Sequence, residues 1–310
     1  MRILVYGVGV LGCSLAKHFA YAKKDVTILA RGAWATSIQE NGLKVKNKYI
    51  PFTCTTHPHI ITELQEDDIY DVIFVAIRYT QIPSIIDILK ANKSKNIVFI
   101  GNNVTTRNLQ ESLKDKNVMF SFLSTSGYRK KNKVVALDLK KIRIGSLNDN
   151  FDFKLMKEVF DKTKYKVIYE SNMEDYLLCH VAFVIPLTFA CYKTNGNLKK
   201  IKKDKEYQNK LIDAMIEGYR AIKNAGHDIV PASDSNFEDI KFRKDILRFL
   251  KLIFSTSLGK ITLSCHALNA TEEMMKLNED IKSFYDKNKA SYPTWLELEE
   301  EAKQNLNIEK

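Results

Sequence analysis

The sequence predicts an α/β protein in which a doubly wound parallel sheet is followed by an all-helical carboxyl-terminal domain. Three observations lead to this prediction. The apolar segment Arg2–Tyr6 runs directly into three glycines and then into helical periodicity. Strand-like and helix-like segments then alternate up to about residue 168, as in βα units. From about Asn172 onward the pattern is helical, in long amphipathic runs.

The glycine motif G-x-G-x-x-G indicates a Rossmann-type dinucleotide site, because it follows a strand and opens a helix. Gly7 permits the tight turn, Gly9 lets the backbone approach a pyrophosphate, and Gly12 lets the helix pack closely on the strand. The helix N-terminus offers free N–H groups and partial positive charge to the phosphates. The expected cofactor contacts are Gly7, Val8, Gly9, Val10, Leu11 and Gly12.

Arginine follows the second strand, Val26–Ala30, about where such folds contact the adenosine ribose. An acidic residue at this point would favour NAD through the ribose 2′-hydroxyl. Arg31 instead suits a 2′-phosphate through bidentate, charge-assisted hydrogen bonds, so we expect NADP as the cofactor. The alternative is a solvated loop arginine.

Two later strands also end in polar residues. The segment Asp71–Ile77 is followed by Arg78, a second cation that would share the 2′-phosphate or cover the adenine. The segment Asn96–Gly101 is followed by Asn102, which we expect to position both cofactor and substrate near the nicotinamide. An Asx turn is the alternative function of Asn102.

Composition argues against several other classes of protein. The net charge is +11 and the pI about 9.2, but the excess is mostly lysine spread over polar segments, without interleaved aromatics. We therefore expect a solvated surface that steers anionic ligands, and no nucleic-acid partner. The five scattered cysteines include no C-x-x-C pair, so we expect reduced thiols and no metal site. No membrane span or cleavable signal is expected, which makes the cytoplasm the default location.

The change of pattern places a domain boundary near Glu170, with a Rossmann domain over residues 1–168 and a helical domain over residues 169–310. Amphipathic runs in the second half predict helices over Asp175–Tyr192, Tyr207–Ala225, Glu238–Phe254 and Glu272–Asn288. The cleft between the two domains is the expected active site.

With these residues assembled, the chain resembles the ketopantoate reductase family, the 2-dehydropantoate 2-reductases of pantothenate biosynthesis. The matching features are the glycine motif, Arg31 with Gly32, Arg78 where the family usually has lysine, and Asn102. The resemblance covers nearly the whole chain. It implies an NADPH-binding Rossmann domain, a helical domain for substrate binding and dimerisation, and hydride delivery to the ketone carbon of a 2-oxo acid.

The carboxyl-terminal half departs from this family at its catalytic helix. Aligning the family's pattern on Pro186 puts Leu177 at the position of the catalytic lysine, and Val181 and Ile185 at those of two asparagines. A spacing of four keeps all three on one helix face, so a polar stripe has become apolar. Asn195 does match a family asparagine that contacts substrate. This pattern puts ketopantoate itself in doubt as the substrate.

Other residues of the helical half are candidates for the remaining roles. The family's late glutamate falls at Glu273, with Glu272 one position away, although both would also suit the first turn of a helix. His180 and His266 are candidates to replace the lysine as acid, in the imidazolium form, although a lone histidine on an apolar helix is more often a core residue. The family's substrate-binding serine has no clear match in this sequence, and Ser257 and Ser264 are the candidates near the expected position. The sequence favours an NADPH-dependent reductase of a carbonyl substrate over a non-catalytic NADP-binding sensor or interaction protein.

Overall fold

The computed structural model describes residues 1–147 and 151–306. The chain forms two compact units. The first contains residues 1–101 and 105–173, and the second contains Asn102–Val104 together with the chain from Glu174 onward. The first unit is built on a mixed sheet and the second on helices, which confirms the fold class predicted from the sequence.

A ten-stranded sheet forms the first unit. Its strands are β1 (Arg2–Tyr6), β2 (Asp25–Leu29), β3 (Leu43–Asn47), β4 (Thr53–Thr56), β5 (His59–Ile61), β6 (Val72–Val75), β7 (Asn96–Ile100), β8 (Asn117–Lys130), β9 (Lys133–Gly145) and β10 (Lys166–Tyr169). The spatial order is β4-β3-β9-β8-β7-β6-β1-β2-β5, with β10 beside β9. Strand β1 has a parallel neighbour on each side, β2 on one and β6 on the other. The sheet therefore extends in both directions from β1. In open α/β sheets, ligands bind outside the carboxyl ends of the strands where the strand order reverses in this way.

The long strands β8 and β9 form an antiparallel hairpin, and β9 also pairs with β3. Strand β9 runs without interruption from Lys133 to Gly145. Polar residues interrupt the apolar pattern of β9 at Asp138, but Asp138 is still paired with Thr125 of β8. This pair lies beside a register irregularity in β8.

Helices cover the sheet of the first unit. They are α1 (Val10–Tyr21), α2 (Gly32–Asn41), α3 (Ile86–Ala91), α4 (Thr106–Ser112) and α5 (Phe153–Phe160), with a 3₁₀ helix at Tyr79–Ile85. The core between the layers is fully apolar where β1 meets α1: Ile3, Val5, Leu15 and Phe19 are all 0% exposed. Burial of this extent fixes α1 against the sheet and therefore fixes its N-terminus.

One buried charge links α1 to β9. The Asp138 carboxylate accepts hydrogen bonds from the Ser14 hydroxyl at 2.8 Å and from Thr125 at 3.1 Å. It also lies 2.7 Å from His18 Nε2 and 3.3 Å from Lys17 Nζ. Burial raises the pKa of Asp138, but the hydrogen bond from His18 and the charge of Lys17 outweigh burial and hold this pKa well below its usual value.

The second unit is helical. Its helices are α6 (Met173–Lys193), α7 (Lys205–Asn224), α8 (Ile240–Ser255), α9 (Ser257–Gly259), α10 (Cys265–Asn269), α11 (Thr271–Lys287) and α12 (Pro293–Leu306), with α6 beginning at the boundary residue. Trp295 lies at the centre of the packing, with edge-on ring contacts to Phe189 and Tyr285. Its indole N–H donates to Asn278 Oδ1 at 2.8 Å. One aromatic side chain thus joins α6, α11 and α12.

Helix α6 is the most apolar helix of the second unit by its mean hydropathy of 1.5 over 18 residues. By length and composition alone it would cross a membrane, but 83% of that window is buried inside the protein. Such burial is typical of the core helix of a globular domain. The helix continues through Pro186, and the Thr188 hydroxyl donates to the Val184 carbonyl at 3.1 Å near this point.

Candidate active site

The glycines of the loop between β1 and α1 meet three different surroundings. Gly7 has a φ of +106°, which favours glycine, and a Cβ there would lie 2.7 Å from the Ala76 carbonyl oxygen. A Cβ on Gly12 would lie only 1.9 Å from the Gly7 carbonyl oxygen. A Cβ on Gly9 would meet nothing within 4 Å, and Gly9 is the N-cap of α1. The loop therefore leaves open space at a helix N-terminus, as a pyrophosphate requires.

Trp34, which no sequence motif marks, contacts this loop. Its indole N–H donates to the Val8 carbonyl at 3.1 Å, and the Cys13 thiol donates to the same oxygen at 3.3 Å. Trp34 lies in the first turn of α2, three residues after Arg31. The loop is thus tied to the helix that follows the second strand.

Arg31 is exposed at the carboxyl end of β2, where it is the N-cap of α2. Its Nε donates to the Thr62 carbonyl at 3.2 Å, and its Nη2 donates to the Tyr6 hydroxyl at 3.4 Å. Among residues 1–147 and 151–306, no carboxylate lies within ion-pair distance of Arg31. The guanidinium is therefore held in place by neutral groups and keeps its full charge for an anion.

Arg78 and Asn102 follow two other parallel strands. Arg78 is exposed after β6, on the other side of β1 from Arg31, and its backbone N–H donates to Gln81 Oε1 at 3.3 Å. Asn102 comes after β7 and Gly101, whose φ is +120°. The Asn102 Oδ1 atom is buried without a hydrogen-bond partner in the described part of the chain. A buried acceptor without a partner is rare, and it fits a donor supplied by a ligand.

The apolar stripe of α6 is buried. Leu177 is 1% exposed, and Val181 and Ile185 are 0% exposed. A lysine at position 177 would place an ammonium group in this apolar interior, which is strongly unfavourable. The face of α6 that remains partly exposed carries His180, Phe183 and Val184 instead.

His180 is the titratable group on that partly exposed face. Its ring stacks on Tyr176 with a centroid distance of 6.0 Å. Burial, with a smaller contribution from the charge of His266, lowers the pKa of His180 from 6.5 to about 4. The imidazole is therefore neutral at pH 7. The imidazolium form expected from the sequence is not supported for His180, although a neutral ring still donates one hydrogen bond.

His266 follows a π-helical turn at Lys260–Ser264, at the start of α10. Such turns are rare and are found often at functional sites. Glu273 is 9% exposed in the first turn of α11, whereas Glu272 beside it is exposed. Of these two acids, Glu273 is therefore the one enclosed by protein.

The remaining candidates of the second unit lie near the end of α6 and in the segment before α11. Asn195 has a φ of +49° in the turn that ends α6, and its side chain is exposed. Ser264 is buried and lies 3.9 Å from the Cys191 sulfur, whereas Ser257 is exposed. Asn195 thus has a conformational role in the turn that is independent of any ligand.

Glu174, Asp175 and His227 form a group whose ligand atoms lie within 4.8 Å of one another. Both oxygens of Asp175 are already used: His227 Nδ1 lies 2.6 Å from one, and the Asp228 backbone N–H donates to the other at 3.0 Å. The geometry is that of a hydrogen-bonded anchor joining α6 to the loop after α7.

Trp34 and the Asp138 cluster have no signal in the sequence, for different reasons. No short motif marks a tryptophan that hydrogen-bonds a loop carbonyl. The α1 residues of the Asp138 cluster are about 120 positions from Asp138 in sequence, and only the fold brings them together. The π-helical turn likewise has no sequence signal.

The fold and this site define the class of the protein. A Rossmann-type sheet with an open glycine loop, followed by a helical unit, is typical of nicotinamide-dependent oxidoreductases. Residues 3–149 match the family described as ketopantoate reductase PanE/ApbA. The resemblance inferred from the sequence is thereby confirmed, and the chain is divergent from its structural relatives, as their low identities show. The comparison with curated proteins found no match.

Solved structures with the same fold cover almost the whole chain. The 2-dehydropantoate 2-reductase from Geobacter metallireducens is 16% identical, with a TM-score of 0.80 and coverage of 98% of this chain and 99% of that one. The enzyme from Porphyromonas gingivalis is 14% identical, with a TM-score of 0.73 and coverage of 97% and 98%. D-mandelate dehydrogenase with NADH and anilino(oxo)acetate is 13% identical, with a TM-score of 0.78 and full coverage of both chains. The fold extends through both units.

Proposed function

We propose that the protein is an NADPH-dependent reductase of a 2-oxo acid or a related ketone. The observation that carries this proposal is the exposed Arg31 guanidinium, which has no carboxylate partner in the described residues, beside a loop with open space at Gly9. A cation at the end of β2 suits the 2′-phosphate that distinguishes NADP from NAD. The match of residues 3–149 to ketopantoate reductases supports the reaction class.

The glycine loop, the two arginines and Asn102 would hold the cofactor, which supplies a hydride when bound. The N–H groups of Gly9, Val10 and Leu11 at the start of α1 would bind the pyrophosphate. Arg31 would bind the 2′-phosphate, with Arg78 as the second cation on the opposite side of β1. Asn102 would accept a hydrogen bond through its buried Oδ1 atom, either from the nicotinamide amide or from the substrate.

We assign His180 and Glu273 to the chemistry of the carbonyl. A ketone oxygen gains negative charge as its carbon is reduced, and a hydrogen-bond donor at this oxygen lowers the barrier. Neutral His180 would act as this donor, in the way that a neutral imidazole can polarise a carbonyl. Glu273, enclosed in the first turn of α11, would orient the reacting groups, with His266 as the alternative donor.

The substrate that we propose is less polar than ketopantoate. Leu177, Val181 and Ile185 are buried and apolar where the resemblance expects polar substrate contacts, and the partly exposed face of α6 carries Phe183 and Val184 beside His180. Asn195, with its exposed side chain, would contact the polar end of the substrate. A role in pantothenate biosynthesis would require ketopantoate itself, so we expect a different 2-oxo acid. We propose a cytoplasmic homodimer, in keeping with the sequence analysis.

A second candidate function is a non-catalytic NADP-binding sensor or interaction protein of the same fold. The observation that favours it is the burial of Leu177 at the position of the family's lysine. In this case the first unit would bind the cofactor as described, and the second unit would have no acid or donor for a carbonyl.

Turnover of a carbonyl panel separates the two candidates. NADPH oxidation should be followed with ketopantoate, with aliphatic and aromatic 2-oxo acids and with simple ketones. We expect turnover of an apolar 2-oxo acid, a decrease of about 10²–10⁴-fold in His180→Ala, and a clear decrease in Glu273→Ala. Glu279→Ala is the control, because Glu279 is an exposed acid on the same helix.

Absence of turnover with every carbonyl, in a protein that binds NADPH, would overturn the reductase and favour the sensor. Turnover unaffected by both His180→Ala and Glu273→Ala would overturn the assigned roles while keeping the reaction. Ketopantoate as the best substrate of the panel would overturn the apolar substrate class.

A further inference from the structure

The peptide between Val8 and Gly9 is fixed by side chains from outside the glycine loop. Its carbonyl oxygen accepts from the Trp34 indole at 3.1 Å and from the Cys13 thiol at 3.3 Å. The peptide unit is planar, and its C=O and N–H groups point in opposite directions. Holding the Val8 carbonyl toward Trp34 therefore turns the Gly9 N–H away from Trp34. The orientation of this amide at the N-cap of α1 is thus set by the two donors.

The two donors differ in strength. A thiol is a weak hydrogen-bond donor, and that of Cys13 stays protonated because burial raises its pKa to about 12. An indole N–H is the stronger donor, and Trp34 is only partly buried, between the core and the surface. Trp34 therefore makes the main contribution to the position of the Val8 carbonyl.

A cation from the β8–β9 hairpin covers the ring of Trp34. The Arg129 guanidinium carbon lies 5.2 Å from the centroid of the ring, within the range of a cation–π contact. Arg129 is exposed, and in the described chain it has no carboxylate within ion-pair distance. Its backbone is fixed by antiparallel pairing with Val134. A regular strand thus holds the guanidinium against the indole.

We propose that Trp34 is a positioning residue for the pyrophosphate end of the dinucleotide, and that Arg129 acts through it by holding the indole in place. This inference rests on the proposed cofactor. It separates two functions around α2: Arg31 selects the 2′-phosphate, whereas Trp34, three residues later, sets the amide of Gly9. Loss of Trp34 should therefore weaken every ligand that has a pyrophosphate, whether or not it carries the 2′-phosphate.

Calorimetric titration with NADP⁺, NAD⁺ and 2′-AMP tests this separation, because 2′-AMP has the 2′-phosphate without the pyrophosphate. Trp34→Phe keeps an aromatic ring and removes the N–H. We expect about three- to tenfold weaker binding of both NADP⁺ and NAD⁺, with the affinity for 2′-AMP unchanged. Arg31→Ala should do the opposite, weakening NADP⁺ and 2′-AMP and sparing NAD⁺.

Arg129→Gln tests the same inference without altering the tryptophan. It should weaken NADP⁺ and NAD⁺ by about two- to fivefold, and Arg129→Lys should weaken them less. Because Arg129 acts through Trp34, Trp34→Phe/Arg129→Gln should bind no more weakly than Trp34→Phe alone. Lys130→Gln, which removes the same charge one residue along β8, should bind as the wild type does.

The outcomes distinguish this inference from the proposed function. A wild-type protein that binds neither dinucleotide would overturn the proposed function. A wild type that binds, with unchanged dinucleotide affinity in Trp34→Phe and Arg129→Gln, would overturn the role of Trp34 alone. Equal weakening of 2′-AMP and NADP⁺ in Trp34→Phe would also overturn it, since this result indicates general damage to the unit. Additive effects in the double variant would overturn the action of Arg129 through Trp34.

Discussion

Gly9 and Gly12 lie three residues apart in the same motif, yet only Gly12 is required by the fold. At Gly12 the backbone of Gly7 occupies the space of a side chain, so the absence of Cβ is needed for folding. At Gly9 the space is open and the backbone is in the extended region, with a φ of −73°. A side chain at Gly9 would therefore be tolerated by the fold and would interfere only with a ligand.

Substitution of each glycine by alanine should separate stability from binding. Gly9→Ala should keep the melting temperature of the wild type and bind NADPH at least about tenfold more weakly. Gly12→Ala should lower the melting temperature, because an atom 1.9 Å from a carbonyl oxygen forces the helix away from the strand. Calorimetry of both variants provides the comparison. Normal NADPH binding by a folded Gly9→Ala protein would refute the assignment of this loop.

Single residues of the cofactor half were predictable from the sequence when their role follows from the local chain. Gly7 and Arg31 each come at the end of a buried apolar strand, so sequence order alone marks their positions. The positive φ of Gly7 explains why that position needs glycine. The contribution of Trp34 was not predictable in this way, because its partner Val8 is 26 positions away and the contact is to a backbone atom. Local patterns predict which backbone is exposed to a ligand, and only the structure gives the side chains that hold it.

The Asp138 cluster is the main polar link between elements of the first unit. It joins three residues on one side of α1 to β9, and every atom involved is at most partly exposed. Burial lowers the pKa of His18 from its usual 6.5, with the hydrogen bond to Asp138 opposing this effect only in part. His18 is therefore neutral at pH 7 and donates through Nε2 to the ionised Asp138.

This arrangement predicts a loss of stability in mild acid. The unfolded chain takes up a proton at His18 near pH 6.5, whereas the folded chain takes it up only at the lower folded pKa. The stability contribution is complete above pH 6.5 and is lost as the pH falls through the folded pKa. Asp138, with its lowered pKa, loses its contribution only below its usual 3.8.

Melting temperatures between pH 7.5 and 5 test this prediction. His18→Gln retains a hydrogen-bond donor and removes the titration, so its melting temperature should fall less with pH than that of the wild type. His59→Gln, at an exposed histidine on β5, should behave as the wild type does. Equal pH dependence in His18→Gln and wild type would show that His18 does not make this contribution.

Helix α6 shows the limit of alignment to a family pattern at the scale of elements. Pro186 lies inside the helix and Asn195 lies in the turn that follows it, and the two keep the spacing of that pattern. The residues four apart that precede the proline are nevertheless core residues here. His180, three residues after Leu177, lies on an adjacent face of the helix that remains partly exposed. Sequence order alone does not predict which of two adjacent helix faces is buried.

At the scale of the molecule, the fold was predictable because its two units have different periodicities. Buried parallel strands are short apolar runs that end in glycine or polar residues, as Asn96–Ile100 does before Gly101. The helices of the second unit follow apolar residues at spacings of three and four, as in α7, whose inward face includes Leu211, Met215 and Ile222. The short strands β3, β4, β5 and β10 were not predicted, because each is short and lacks a continuous buried run.

The two units differ in how closely they follow the reductase pattern. The first unit retains the glycine loop and both arginines. At the positions where the sequence alignment expects the family's lysine and two asparagines, the second unit has buried apolar residues. This contrast supports a protein that keeps the cofactor and changes the substrate, with Arg31 as the residue that selects NADP.

Calorimetric affinities of NADPH and NADH for the wild type and Arg31→Ala test the selection of NADP by Arg31. We predict that the wild type prefers NADPH by about 10- to 150-fold, the range expected for a charged hydrogen-bond partner, and that Arg31→Ala removes the preference by weakening NADPH alone. Lys130→Gln should keep the wild-type preference. Equal affinities of the wild type for NADPH and NADH would contradict the selection of NADP by Arg31. A preference for NADPH that survives in Arg31→Ala would contradict it as well.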